Sequence, residues 1–197
     1  MDHAAHNKIV SFIWSIADDC LRDVFVRGKY RDVILPMFVL RRLDCLLEPS
    51  KAGVLEEVRF QQEDAAMADL DPHGLRDASG YVFYNTSKFT LKSLLGNPTQ
   101  LEANLKNYLD GFSDNVKEIV DKFDLRNQIR KMAQSDVLHD VIEKFVSEEI
   151  NLSPDDRKGP DGRTQPGLSN LGMGYVFEEL IRKFNEENNE EAGEHFT

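Results

Sequence analysis

The sequence predicts a mainly α-helical protein, with at most a small β-hairpin around residues 81–91. Three observations predict it. Apolar residues recur at three- and four-residue steps through most of the chain, the period of a helix that buries one face. Helix punctuation interrupts the pattern at Gly28, Pro49, Asn97-Pro98 and Gly111. Tyr81-Val82-Phe83-Tyr84 is the best strand candidate, being short, aromatic and β-branched.

Ile9, Phe12, Ile13, Ile16, Cys20, Leu21 and Val24 trace one stripe on a long first helix that Gly28 ends. A second helix is predicted over Tyr30–Leu47. Its apolar positions are too many for one stripe, so it is expected at the centre, with Pro36 causing a kink or a late start. A weaker third helix runs from Ser50 to Met67. Asp71-Pro72-His73-Gly74 and Ala78-Ser79-Gly80 read as loop. Tyr81–Tyr84 is a strand candidate that could pair with Lys88–Leu91 across Asn85-Thr86-Ser87. Asn97, Pro98 and Gln100 read as the cap, first position and capping-box partner of the next helix, which buries Leu101, Leu105, Tyr108 and Leu109. Ser113 or Asp114 caps a helix with Val116, Ile119, Val120 and Phe123 inward. Leu125–Met132 is a short helix, and Val137 to Val146 an amphipathic one. The Pro- and Gly-rich stretch 151–167 reads as a linker loop between a helical region, 1–150, and a final segment, 168–197. In that segment Met173, Val176, Phe177, Leu180, Ile181 and Phe184 face inward, and Glu178–Arg182 and Glu179–Lys183 pair outside.

With 197 residues, 41% hydrophobic and 30% charged, the chain has the make-up of a soluble globular domain. No apolar run approaches the roughly 20 residues that span a bilayer. Met1-Asp2-His3 lacks the features of a signal peptide, and Cys20 and Cys45 read as buried, reduced thiols, so a cytoplasmic location is expected. A net charge of −11 argues against the chain gripping DNA or an anionic membrane by itself. Residues 1–50, however, hold as many basic as acidic side chains.

No residue set makes a catalytic or metal site. His3 and His6 share a helical face, but too few further ligands lie nearby, and a solvated terminus is expected. Asp18, Asp19 and Asp23 fall opposite the apolar stripe and read as a solvated face. Gly172-Met173-Gly174 lacks the preceding strand and third glycine of a dinucleotide fingerprint. Basic clusters occur at Arg27-Gly28-Lys29-Tyr30-Arg31, at Arg41-Arg42, and at Arg126 with Arg130-Lys131. Each reads as ion pairs with nearby aspartates or as phosphate contact in an assembled complex. Arg27, Lys29 and Arg31 are the DNA-binding candidates, because they flank an exposed helix–helix turn.

The run Gly172-Met173-Gly174-Tyr175-Val176-Phe177-Glu178-Glu179-Leu180-Ile181-Arg182-Lys183-Phe184-Asn185, continuing to Glu194-His195-Phe196-Thr197, resembles the modification subunit of type I restriction–modification systems. So do Phe12–Asp18, Tyr30–Leu43, Tyr81–Ser87 and Asn107–Ser113. The resemblance implies a helical N-terminal domain of an adenine-specific DNA methyltransferase that uses S-adenosylmethionine. The target adenine leaves the base stack for the reaction. The resemblance also implies assembly with a second modification subunit, a specificity subunit and a restriction subunit around DNA, with no membrane partner. In that family a His-Phe-Thr-Pro segment borders the cofactor pocket, so Phe196 and Thr197 match its start. The ending at Thr197 thus reads as a cut just before that proline. The family's glycine-rich cofactor loop and Asn-Pro-Pro-Phe motif are absent, since Asn97-Pro98 is followed by Thr99. The expectation is an assembly and DNA-clamping region with no bound cofactor and no activity of its own. The alternative is a free-standing helical interaction or regulatory domain.

Overall fold

A computed structural model of the protein describes residues 3–196, with side chains described as far as residue 189. The chain is mainly helical, as expected. The helices are α1 (His3–Cys20), α2 (Tyr30–Leu47), α3 (Lys51–Arg59), α4 (Pro72–Ser79) and α5 (Leu91–Leu94), then α6 (Leu101–Asp110), α7 (Asp114–Lys122), α8 (Leu125–Gln134), α9 (Leu138–Phe145) and α10 (Asn170–Phe196). Two short strands, β1 (Arg157–Lys158) and β2 (Thr164–Gln165), pair antiparallel.

Helix α2 is the central post. Val33, Ile34, Leu35, Pro36, Met37, Phe38 and Leu40 are all buried, and α1, α8, α9 and α10 pack around them. Each such aliphatic or aromatic side chain contributes about 1.5–3 kcal/mol when fully removed from water. This explains why one stripe could not hold the helix's apolar residues. The helix starts at Tyr30, so Pro36 lies inside it and produces no late start. Helix α1 stops at Cys20, well before Gly28. The chain then curls so that Leu21 and Phe25 both reach the core, and a 3-10 turn, Arg27–Lys29, leads into α2.

Two segments depart from the sequence reading. Residues 71–80 are not loop but α4 with its caps. Asp71 Oδ1 accepts from the His73 backbone N–H at 3.0 Å, Pro72 takes the first position, and Gly80 ends the helix at φ 78°. The loop-forming residues are helix ends. No hairpin forms around 81–91. The backbone there bonds to a segment further along: Thr86 N–H donates to Gly111 C=O, Ser113 N–H to Tyr84 C=O, and Asn85 bridges Phe112. The small sheet lies instead within the Pro- and Gly-rich stretch. The capping box is also displaced. The Asn97 side chain accepts from the Thr99 hydroxyl and caps no backbone N–H, whereas Thr90 and Ser93 cap α5 reciprocally.

Helix α7 starts after Ser113, whose hydroxyl donates to Asn115 rather than capping the helix. Ile119, expected inside, is 40% exposed. Helix α10 begins at Asn170 and runs on through the acidic stretch 186–191. Val176, Leu180 and Phe184 join the core shared by α1 and α2, and Trp14 lies 4.9 Å from Phe184. Arg182 pairs with Glu179, three residues away, rather than with Glu178, four away, while Lys183 covers the Trp14 ring.

Candidate functional site

The densest polar constellation is buried. Asp44, 5% exposed, receives three donors. Arg41 Nη1 reaches its Oδ2 at 2.7 Å, while Tyr108 Oη–H and Leu91 N–H reach its Oδ1 at 2.9 and 3.2 Å. The Arg41–Asp44 ion pair was legible from their spacing. Tyr108 and Leu91 were not. Burial first, then the Asp44 carboxylate, raises the Tyr108 phenol well above its ordinary range. Tyr108 is thus a hydrogen-bond donor to Asp44.

Around Tyr108 the two segments Tyr81–Ser87 and Asn107–Ser113 lock together. Asn85 Nδ2–H donates to Tyr108 C=O at 2.9 Å, and Asn85 Oδ1 accepts from Ser87 N–H at 2.7 Å. Ser87 Oγ–H donates to Asn107 Oδ1 at 2.6 Å. Gly111 makes the approach possible: a Cβ there would meet Ser87 N at 2.7 Å and Asn85 Oδ1 at 2.8 Å. Lys51 completes the cluster, with Nζ 3.4 Å from Asn85 Oδ1 and 5.6 Å from the Tyr108 ring centre.

Burial pushes the Lys51 ammonium from 10.5 down to about 8, against the pull of Asp44. Between those values the unfolded chain holds a proton that the folded chain has released, so stability rises with pH across this window. The expected result is that the protein gains stability relative to Lys51→Met as pH climbs from about 8 to about 10. Urea midpoints measured in parallel check it. A constant difference between the two proteins would contradict it.

Arg42 ties the C-terminal part to α2. It is 4% exposed, and its Nη1 donates to Leu152 C=O at 2.8 Å and Leu168 C=O at 2.7 Å. Its Nη2 reaches Asn170 Oδ1 at 3.1 Å. Asn151 holds the same stretch from inside by donating to Asp155, Gln165 and Pro166 carbonyls.

Arg27, Lys29 and Arg31 lie together at the corner between α1 and α2. Arg27 pairs with Glu187 at 3.6 Å, Lys29 with Asp32 at 3.9 Å, and Arg31 donates to Asn185 Oδ1 at 2.9 Å. Two of the three therefore hold α10. Arg126 pairs with Asp110 at 2.7 Å, and Lys131 lies 4.4 Å from the Phe25 ring centre. His6 is not solvated. It is 8% exposed, with its ring 5.3 Å from that of Tyr175. At Gly172 a Cβ would approach His6 Nε2 to 2.9 Å, whereas Gly174 has open space. Of the two cofactor-pocket candidates, Thr197 and the side chain of Phe196 lie outside the described residues. Among the described residues, no group of His, Cys, Asp and Glu could hold a metal ion. No described helix is long and apolar enough to cross a membrane. A cleft of about 550 Å³ beside α1 and β2 carries Lys8, Glu149, Asp161 and Arg163, a mixture of signs.

The polar chemistry of this fold therefore fastens helices and segments to one another. No curated protein and no solved structure matches the chain. A family model described as the HsdM N-terminal domain matches residues 9–145, well over half of the sequence. The match contains α2, Asp44 and both interlocked segments, and it ends before the run from Gly172 onward. The chain belongs to the HsdM N-terminal domain family, which places it in the context of the modification subunit of type I restriction–modification systems.

Proposed function

We propose that this chain is the assembly and DNA-clamping region of an S-adenosylmethionine-dependent, adenine-specific DNA methyltransferase subunit. Residues 1–150 form the clamp, 151–167 the connection, and 168–197 the approach to a catalytic domain. The partners are a second modification subunit, the specificity subunit and the restriction subunit, with DNA between them. The observation that carries this reading is the engagement of the buried polar groups at Asp44 and Arg42 in holding the fold together. Such groups give shape, and shape serves assembly. Methyl transfer then belongs to residues beyond the Asp44 and Arg42 clusters, with Phe196 and Thr197 at the edge of the cofactor pocket. Arg27, Lys29 and Arg31 reach phosphates by exchanging Glu187, Asp32 and Asn185 for DNA.

The test compares the full modification subunit with a version lacking residues 1–150. Each is mixed with the specificity subunit and duplex DNA, and assembly mass and methyl incorporation are measured. The expected result is that the shortened subunit still binds S-adenosylmethionine but no longer closes a stable complex on DNA. An assembly of unchanged mass and DNA retention would refute the clamp. The 197-residue chain by itself is expected to transfer no methyl groups to adenine.

A further inference from the structure

Helix α8 has a surface unlike the rest of this acidic molecule. Leu125, Ile129 and Met132 face the core. The remaining positions are Arg126, Asn127, Gln128, Arg130, Lys131, Ala133 and Gln134, with no acidic residue in the helix. Across a groove of about 360 Å³ stands Lys106 of α6, above a floor of Ala103, Leu109 and Ile129, with Glu102 at the rim.

The cations of the two basic surfaces differ in what already holds them. At the α1–α2 corner Arg27 and Lys29 have carboxylate partners, and Arg31 is bonded to Asn185. At α8 only Arg126 has one, Asp110. Among the described residues Lys106, Arg130 and Lys131 form no ion pair; Arg130 touches Asn127 at 3.5 Å and Lys131 rests on Phe25. A cation without a carboxylate gains the most from a phosphate, because no internal pair must be broken and counterions are released. The amides alongside have the chemistry that contacts phosphates and base edges. A protein partner would instead need apolar or aromatic anchors. None of the large exposed apolar side chains, such as Val82, Leu171 and Val26, lies on α8.

We propose that the exposed face of α8, together with Lys106, lies along the phosphate backbone of duplex DNA. The inference rests on the clamp reading and assigns it a surface. Fluorescence anisotropy with a labelled duplex of arbitrary sequence, over a series of salt concentrations, tests it on the 197-residue chain. Three proteins are compared: the parent, Lys106→Gln/Arg130→Gln/Lys131→Gln, and a charge-matched control at exposed lysines outside α6 and α8, Lys88→Gln/Lys92→Gln/Lys158→Gln. The α8 variant is expected to bind at least about tenfold more weakly, with the slope of log affinity against log salt reduced by about 2.7, since each phosphate contact contributes roughly 0.9. The control variant is expected to stay within about twofold of the parent and to keep its slope. Thermal unfolding confirms that the variants fold. If the triple variant does not, Lys106→Gln and Arg130→Gln singly should each lower the slope by about 0.9. Unchanged affinity and slope in the α8 variants overturns the proposal. So does a parent chain that binds no DNA at low salt. If the α8 variants bind normally while deletion of residues 1–150 still prevents assembly, the clamp reading stands and this surface falls. The reverse pair of results keeps the surface and removes the clamp.

Discussion

Replacing Asp44 by alanine is expected to cost about 3–5 kcal/mol of stability, the scale for breaking a buried ion pair from one side. The Arg41 guanidinium, 9% exposed, would be left without its carboxylate. The Tyr108 hydroxyl and Leu91 N–H would lose their acceptor in the same step, and each stranded donor adds to the loss. Urea unfolding followed by circular dichroism measures the effect. Asp44→Asn retains an oxygen facing Tyr108 and should lose less. The double change Arg41→Met/Asp44→Leu should recover only the part of the loss that comes from the unpaired guanidinium, because the Tyr108 hydroxyl and Leu91 N–H still lack an acceptor. If Asp44→Ala lies within about 1 kcal/mol of the parent, the network is incidental to the fold.

Arg42→Met should have the second-largest effect, about 2–4 kcal/mol, and a local one. Hydrogen bonds from a charged donor contribute roughly 1.5–3 kcal/mol each, and the Leu152 and Leu168 carbonyls would be left buried. Hydrogen exchange should speed up across 151–170 and the first turns of α10, while α6 to α9 keep their protection. Arg42→Lys should not rescue the protein, because one ammonium lacks the planar fork that serves acceptors on both sides. Uniformly faster exchange throughout the chain would show that Arg42 supports the whole core rather than this one attachment.

The contrast between what the sequence revealed and what it hid follows the range of the interactions. Helix α2 was legible to both ends, because a surplus of apolar residues marks a helix surrounded by others. The corner carrying Arg27, Lys29 and Arg31 was located for the same local reason. Its partners were not, since Asn185 and Glu187 come from the far end of the chain. Segment 71–80 was misread because Asp-Pro and Gly both interrupt helices and begin or end them, and only the capping geometry separates the cases. Residues 81–91 have strand composition, but their main hydrogen-bond partners lie at 107–115, at the end of α6 and the start of α7. The buried site was half visible: Arg41 and Asp44 are three residues apart, whereas Tyr108 joins them only through folding. Lys51, Asn85 and Gly111 carried no chemical motif. The segments Tyr81–Ser87 and Asn107–Ser113 nevertheless drew attention by resemblance, and their contact supplies the physical reason.

Arg42 also bears on how this architecture tolerates change in length. One guanidinium grips the carbonyls of Leu152 and Leu168, on either side of the β1–β2 excursion, and so closes that excursion into a ring without a covalent bond. The entropy of closing a flexible ring grows only with the logarithm of its size, about 0.6 kcal/mol for each doubling. The tip at 159–163, remote from the grip, is where residues could be added or removed while α9 and α10 stay in register with α2.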